Sequence, residues 1–168
     1  FSDILMVPHA LNQKVEFLKN HGPKLENFNL ANFLKNDDLK FTKKLKPVYK
    51  AIEITRKKLN KEKSLISFIG APWTLLVYMI GAKQDKNEID LKIINKKKNE
   101  IELILEKLIN YLCLHIENQV KAGADIVQIF DSWAGSIPQE DLNNFCYSPN
   151  SKIVEFGKTR RNKYRLQC

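Results

Sequence analysis

The sequence predicts an α/β fold made of strand–helix repeats, and three observations predict it. A long helical period from Asn99 to Lys121 stops at Gly123 and gives way at once to a β-branched run, Asp125 to Phe130, too short for a helix. A second apolar run, Ser64 to Gly70, leads directly into Ala71-Pro72-Trp73-Thr74, where a proline suits the first turn of a helix. Both runs end in polar residues, and in α/β folds the carboxyl ends of strands carry the chemistry. Asp131, Ser132 and Trp133 occupy that place.

Composition narrows the classes of function. With 168 residues, 43% hydrophobic and 28% charged, the chain is long enough for one soluble domain with a real core. The uncharged stretch Leu65 to Ala82 is only at the lower edge of a membrane span, and Gly70-Ala71-Pro72 interrupts it, so it reads as buried strand, turn and buried helix. No membrane partner is expected. The chain opens on Phe1 inside an apolar run with no basic leader, which suggests a segment cut within an element and no signal peptide. Cys113, Cys146 and Cys168 form no CxxC and no even set, which fits a reducing, cytoplasmic setting. Cys113 and His115 point to different sides of one helix, so no metal site is expected there. The net charge of +9 comes almost entirely from lysine. Phosphate readers favour arginine for its fork geometry, so a solvated lysine surface is expected rather than a nucleic-acid interface, with a field suited to a polyanionic small molecule.

The elements follow in order. Phe1 to Leu5 is read as the end of a buried strand with the carboxylate of Asp3 at its mouth. Gln13 to Leu25 carries alternating apolar residues around Asn20-His21-Gly22-Pro23, a hairpin signal in which His21 is a turn residue. Glu26 to Lys46 has no clear period and reads as short helical turns in a surface excursion. Val48, Ala51, Ile52, Thr55 and Leu59 define one face of an amphipathic helix. The helix beginning at Pro72 is expected to run to about Ile80, with Tyr78 two turns in and Gly81 closing it. Ile101, Ile104, Leu105, Leu108, Leu112, Ile116 and Val120 form the buried stripe of the long helix. Ser136 and Gln139 match a capping box ahead of a short helix from Pro138 to about Phe145. Ser148-Pro149-Asn150 starts another helix, with Ile153, Val154 and Phe156 buried. After Lys158 the pattern fails, because Thr159 to Cys168 is basic and lacks the apolar strand that a repeat demands.

The motifs FSDIL (Phe1 to Leu5), GAPWTL with Tyr78 just beyond, and AGADIVQIFDSWAG (Ala122 to Gly135), together with QKVEFLKNHGP, resemble the uroporphyrinogen decarboxylase family. The resemblance covers residues 1 to about 158. It implies a fragment of a (β/α)8 TIM barrel, about the first three strands with their helices, at Phe1 to Leu5, Leu65 to Ile69 and Asp125 to Phe130. It implies a carboxy-lyase of porphyrin and heme biosynthesis that removes carbon dioxide from the four acetate side chains of uroporphyrinogen III to give coproporphyrinogen III. It further implies a cytoplasmic homodimer needing no cofactor and no metal. By the resemblance, Asp3 is the catalytic and substrate-binding carboxylate that meets the pyrrole N–H groups, and Tyr78 and Ser132 are substrate-binding hydroxyls. The family's arginine-bearing segment and C-terminal histidine motif have no counterpart here, so residues 159–168 read as a truncated or frame-shifted tail and the segment alone as inactive. A related barrel methyltransferase, of corrinoid or cobalamin-independent type, is the alternative. A basic RNA-binding module is the non-enzyme alternative; it would need clustered arginine and exposed aromatics.

Overall fold

The two apolar runs pair with each other. A computed structural model describes residues 3–18, 22–83 and 88–160 of the chain. In chain order the elements are α1 (Met6–Ala10), β1 (Val15–Leu18), β2 (Gly22–Leu25), α2 (Leu30–Leu34), α3 (Asp38–Lys58), β3 (Ile66–Gly70), α4 (Pro72–Met79), α5 (Leu91–Lys96), α6 (Lys98–Lys121), β4 (Ile126–Phe130) and α7 (Ser148–Arg160). β3 and β4 are parallel neighbours in the register Ile66↔Ile126 to Gly70↔Phe130. A parallel pair needs a crossover, and α4 to α6 supply it. The hairpin is present as β1 and β2, antiparallel with Val15 opposite Leu25. His21, expected at its turn, lies outside the described residues.

The core sits on one side of the sheet. Trp73, Leu75, Leu76 and Met79 of α4 meet Ile101, Ile104, Leu108 and Leu112 of α6, with Phe41 and Leu45 of α3 and Ile153 of α7 closing the layer; all are buried to within 2%. The stripe of α6 follows the helical period, as its spacing predicts. On the sheet, Ser67 and Ile69 turn toward this layer, whereas Ile66 and Phe130 on the opposite face are 60% and 47% exposed. The runs expected to be wholly buried are therefore half-buried, because among the described residues their second face is left largely open.

Gly81 and Gly123 stop their helices. Gly81 has φ +70°, and Ala82 N–H reaches back to Val77 O at 3.0 Å, closing α4 as its position predicts. Gly123 has φ +110°, and a Cβ there would lie 2.8 Å from Arg56 Cγ. That arginine donates to Lys63 O, Leu59 O, Asn60 O and the carboxylate of Asp125, while Asp125 also accepts from Leu65 N–H at 2.7 Å. The end of α3 and the starts of both strands are thus tied at one point.

Four expectations are corrected. Phe1 and Ser2 lie outside the described residues, but Asp3 to Leu5 is a turn rather than a strand: Asp3 Oδ1 accepts from Leu5 N–H and Asp3 O accepts from Met6 N–H, which winds the chain into α1. Two parallel strands are therefore described, not three. The helix expected from Val48 begins ten residues earlier, at Asp38. Asp37 caps it by accepting from Lys40 N–H at 2.8 Å, and Phe41, Leu45 and Val48 form its buried stripe, while Ala51 and Thr55 are exposed. The Ser136 capping box does not form. Ser136 belongs to a 3₁₀ turn, Ala134–Ser136, followed by a second at Gln139–Asp141 and a π turn at Asn143–Tyr147. Of the three α7 residues expected to be buried, Ile153 is, while Val154 and Phe156 are half-buried.

His115, on the face of α6, is a buried link. Its Nδ1 lies 3.0 Å from Tyr49 Oη and its Nε2 2.7 Å from Gln119 Nε2, and Gln119 Nε2 also donates to Phe68 O. Burial lowers its pKa to about 3, so the folded imidazole stays neutral, whereas an unfolded one titrates near ~6.5. Stability is therefore full above ~6.5 and is lost as pH falls from there toward the folded value, by at most about 1.4 kcal/mol per unit. Thermal unfolding of a barrel-length polypeptide carrying these residues should show a steeper fall in midpoint between pH 7 and 5 than its His115→Gln variant. Parallel curves for the two would contradict this account of His115.

Candidate active site

Chemistry in this architecture is expected at the carboxyl ends of β3 and β4, and the three sequence-predicted residues are distributed around that end. The ladder closes with Ala71 N–H donating to Phe130 O at 2.8 Å. From there β3 passes into α4, which carries Tyr78, and β4 passes into Asp131, Ser132 and Trp133.

Tyr78 and the Ser132 segment are brought together by Trp133. The Tyr78 and Trp133 rings meet edge to face, 6.1 Å between centroids at 82°. Tyr78 is half-buried and Ser132 is exposed, as groups that meet a ligand must be. Lys83 Nζ stands 5.5 Å from the Tyr78 ring centre, and both residues line a surface cavity of about 290 Å³ with Lys24 and Phe28. Neither Asp3 nor Ser132 lines that cavity.

Asp3 reaches the same end by a different route. Its neighbour Ile4 lies against Gly70, the last residue of β3, where a Cβ would be 3.1 Å from Ile4 Cβ and 2.9 Å from Leu75 Cδ2. Asp3 Oδ1 is engaged by Leu5 N–H at 2.8 Å; among the described residues Oδ2 has no hydrogen bond. No hydrogen bond joins Asp3, Tyr78 and Ser132 to one another among the described residues.

The best-connected group here is Asp131, whose place at the strand end the sequence shows but whose role it does not. Asp131 Oδ1 accepts from Thr74 Oγ1 at 2.8 Å, and its Oδ2 accepts from Asn150 Nδ2 at 3.0 Å and from Cys146 Sγ at 3.4 Å. Burial and the facing carboxylate push the Cys146 thiol up to about 11, so it stays a donor. Thr74 Oγ1 accepts in turn from Trp133 N–H, and Trp73 Nε1 donates to Trp133 O. A polar residue at a strand end was visible in the sequence. Its partners were not, because Cys146 is aimed by a π turn and Asn150 follows one turn on. Among the described residues, no group of three or more His, Cys, Asp or Glu side chains could hold a metal ion.

Comparison with known proteins bears on the family and the fold. The family model for uroporphyrinogen decarboxylase matches residues 1–166. The uroporphyrinogen decarboxylase of Orientia tsutsugamushi (strain Ikeda) is 45% identical over 168 residues, 98% of this chain and 47% of that protein. Those of Rickettsia bellii and Campylobacter fetus subsp. fetus are 38% and 39% identical, over 92% and 95% of this chain and 46% and 48% of theirs. The chain thus spans about half the length of the curated relatives it matches. Among solved structures, a methyltransferase from Methanosarcina mazei aligns with a TM-score of 0.66 at 18% identity, over 92% of this chain and 47% of that one. That likeness concerns the fold alone. The expected fold class, part of a (β/α)8 barrel, stands.

Gly70 makes the approach of Asp3 possible. Gly70→Ala should push the Ile4 turn off the strand end, with faster amide hydrogen exchange at Leu5 and Met6 and unchanged exchange in α6. Unchanged exchange at Leu5 and Met6 would show that Gly70 does not set this contact.

Proposed function

This chain belongs to the uroporphyrinogen decarboxylase family, and from that premise we propose that, within a barrel of the relatives' length, it removes carbon dioxide from the four acetate side chains of uroporphyrinogen III to give coproporphyrinogen III. The observation that carries the proposal is the convergence of the family match with the geometry of the strand ends. The residues proposed for the reaction come from the turn at Asp3, from α4 and from the segment after β4, three separate stretches directed to one end of the sheet.

The chemistry suits these residue types. An ionised carboxylate offers about four acceptor sites and donates nothing. Asp3 keeps Oδ2 open toward pyrrole N–H groups, while Leu5 N–H fixes Oδ1. Protonation of a pyrrole ring carbon makes a cation. The bond to the departing carboxylate then breaks, its electron pair neutralises the cation and carbon dioxide leaves; the exocyclic methylene so formed takes up a proton and the ring carbon gives one up, which leaves a methyl group. A fixed anion beside that cation stabilises the transition state more than the neutral ground state. Tyr78 and Ser132 orient substrate carboxylates without adding repulsion, and a chain of net charge +9 favours the approach of a polyanion.

The same reading includes a cytoplasmic homodimer that uses no cofactor and binds neither nucleic acid nor membrane. Among the described residues, no helix is long and apolar enough to cross a membrane. The 168-residue segment by itself is proposed to lack turnover. The methyltransferase reading has a likeness of fold behind it and nothing at the site.

In a polypeptide of the relatives' length, Asp3→Asn should fold normally and lose about 10²–10³ in turnover, the scale of one charge-stabilising contact. Tyr78→Phe and Ser132→Ala should lose less and release partly decarboxylated intermediates, because positioning is repeated for each acetate. Chromatography of the products checks both. Normal turnover in Asp3→Asn would overturn its role, and clean, complete conversion at an unchanged rate by both hydroxyl variants would overturn theirs.

A further inference from the structure

We infer that Asp131 and Thr74 form a positioning couple that fixes Ser132 relative to Tyr78; the inference rests on the proposal that these two hydroxyls hold the substrate carboxylates. Asp131 precedes Ser132 in the chain, and its carboxylate is turned away from that role by three donors. Thr74 Oγ1 lies at 2.8 Å, Asn150 Nδ2 at 3.0 Å and Cys146 Sγ at 3.4 Å. All three approach an acceptor-only group, so the carboxylate has one orientation that satisfies them.

The couple continues on the other side of Ser132. Both backbone polar groups of Trp133 are held by the first turn of α4: its N–H by Thr74 Oγ1 at 3.2 Å, its carbonyl by Trp73 Nε1 at 3.1 Å. Trp73 is itself immobilised by stacking on Phe145, 5.2 Å between ring centres and 4° between planes. Ser132 therefore stands between two residues whose positions are set from α4. Tyr78 lies four residues beyond Thr74, one turn along the same helix, and its ring rests against Trp133. The circuit Thr74–Asp131–Ser132–Trp133–Tyr78 closes on itself, and its only exposed member is Ser132.

This arrangement assigns roles that burial alone would not. Thr74 is fully buried in an otherwise apolar helix face, where valine would fill the same space without either hydrogen bond. The hydroxyl serves because it donates to Asp131 and accepts from Trp133 in one place. Asp131 touches no reacting atom in this account and acts through Ser132. Displacing a positioned group by about 1 Å can cost on the order of 10² in rate.

The test uses a polypeptide of the relatives' length, with uroporphyrinogen as substrate, and compares Asp131→Asn, Thr74→Val, Thr74→Ser, Ser132→Ala, Tyr78→Phe and the double variant Asp131→Asn with Ser132→Ala. An asparagine presents its NH₂ to at least one of the three donors, so Asp131→Asn should lower kcat about 10- to 10²-fold. Thr74→Val should do the same, and Thr74→Ser should restore activity. The decisive reading is the double variant. If Asp131 acts through Ser132, the second substitution adds little to the loss of Ser132→Ala; independent, merely structural effects would multiply. Multiplied losses, or a Thr74→Val variant with normal kcat, would overturn the inference. Should Asp131→Asn fail to fold, the pair Thr74→Val and Thr74→Ser decides by the same criterion. Normal turnover in both Ser132→Ala and Tyr78→Phe would instead defeat the underlying assignment of the hydroxyls, an outcome distinct from the failure of the couple.

Discussion

The Asp131 carboxylate is the point on which the carboxyl end of the sheet depends. It terminates β4, and its three donors come from α4 and from the turn and helix that follow. A hydrogen bond to a charged acceptor contributes about 1.5–3 kcal/mol, more than a neutral one. The larger consequence is geometric. Without the carboxylate, the α4 hydroxyl and the π-turn thiol would lose their shared acceptor, and the α7 amide would keep only the weak contact to Cys146 Sγ at 3.7 Å. The π turn at Asn143–Tyr147 carries Cys146 to the carboxylate and Phe145 to Trp73 before α7 begins.

The opposite end of the sheet is fixed by a second acid, Asp125, working with Arg56. Here the partners are backbone carbonyls and one strand amide, with an arginine stem lying where any side chain on Gly123 would have to go. Asp125 sets where β3 and β4 begin, and Asp131 sets how the chain leaves them. Between the two, five register pairs leave little freedom. The stiff unit is the strand pair with α4 and α6 on one side, and it is this unit that presents Tyr78 and Ser132.

Most of this architecture was legible in the sequence wherever one local force dominates. The stripe of α6, the proline start of α4, the glycine stops and the parallel runs all follow from periodicity and backbone preference. Reading failed where a side chain redirected the backbone. Asp3 bonds its own turn and ends the strand reading at residue 3. Asp37 starts a helix inside a stretch whose lysines and asparagines hide the spacing of Phe41, Leu45 and Val48. Ser136 was read as a cap but is consumed by a 3₁₀ turn. At the site, Asp3, Tyr78 and Ser132 are proposed from motifs that resemble the family's. The network that holds Ser132 and Tyr78 was not legible, because Thr74, Cys146 and Asn150 are separated by up to 76 positions in the chain and no spacing rule joins them. His115 illustrates the same limit: a helix-face position gives no sign that Tyr49 and Gln119 bury it.

In the proposed reaction the carboxylate of Asp3 faces the pyrrole centre, and the hydroxyls of Tyr78 and Ser132, held by the strand-end circuit, face side-chain carboxylates of the tetrapyrrole. Both place the substrate at the carboxyl ends of β3 and β4. The most direct measurement is a crystal structure of a polypeptide of the relatives' length with coproporphyrinogen bound. The account predicts the tetrapyrrole at that end, its N–H groups toward Asp3 Oδ2 and its side-chain carboxylates within hydrogen-bond distance of Tyr78 Oη and Ser132 Oγ. A tetrapyrrole bound at the amino ends of the strands, or with Asp3 remote from its ring nitrogens, would contradict it.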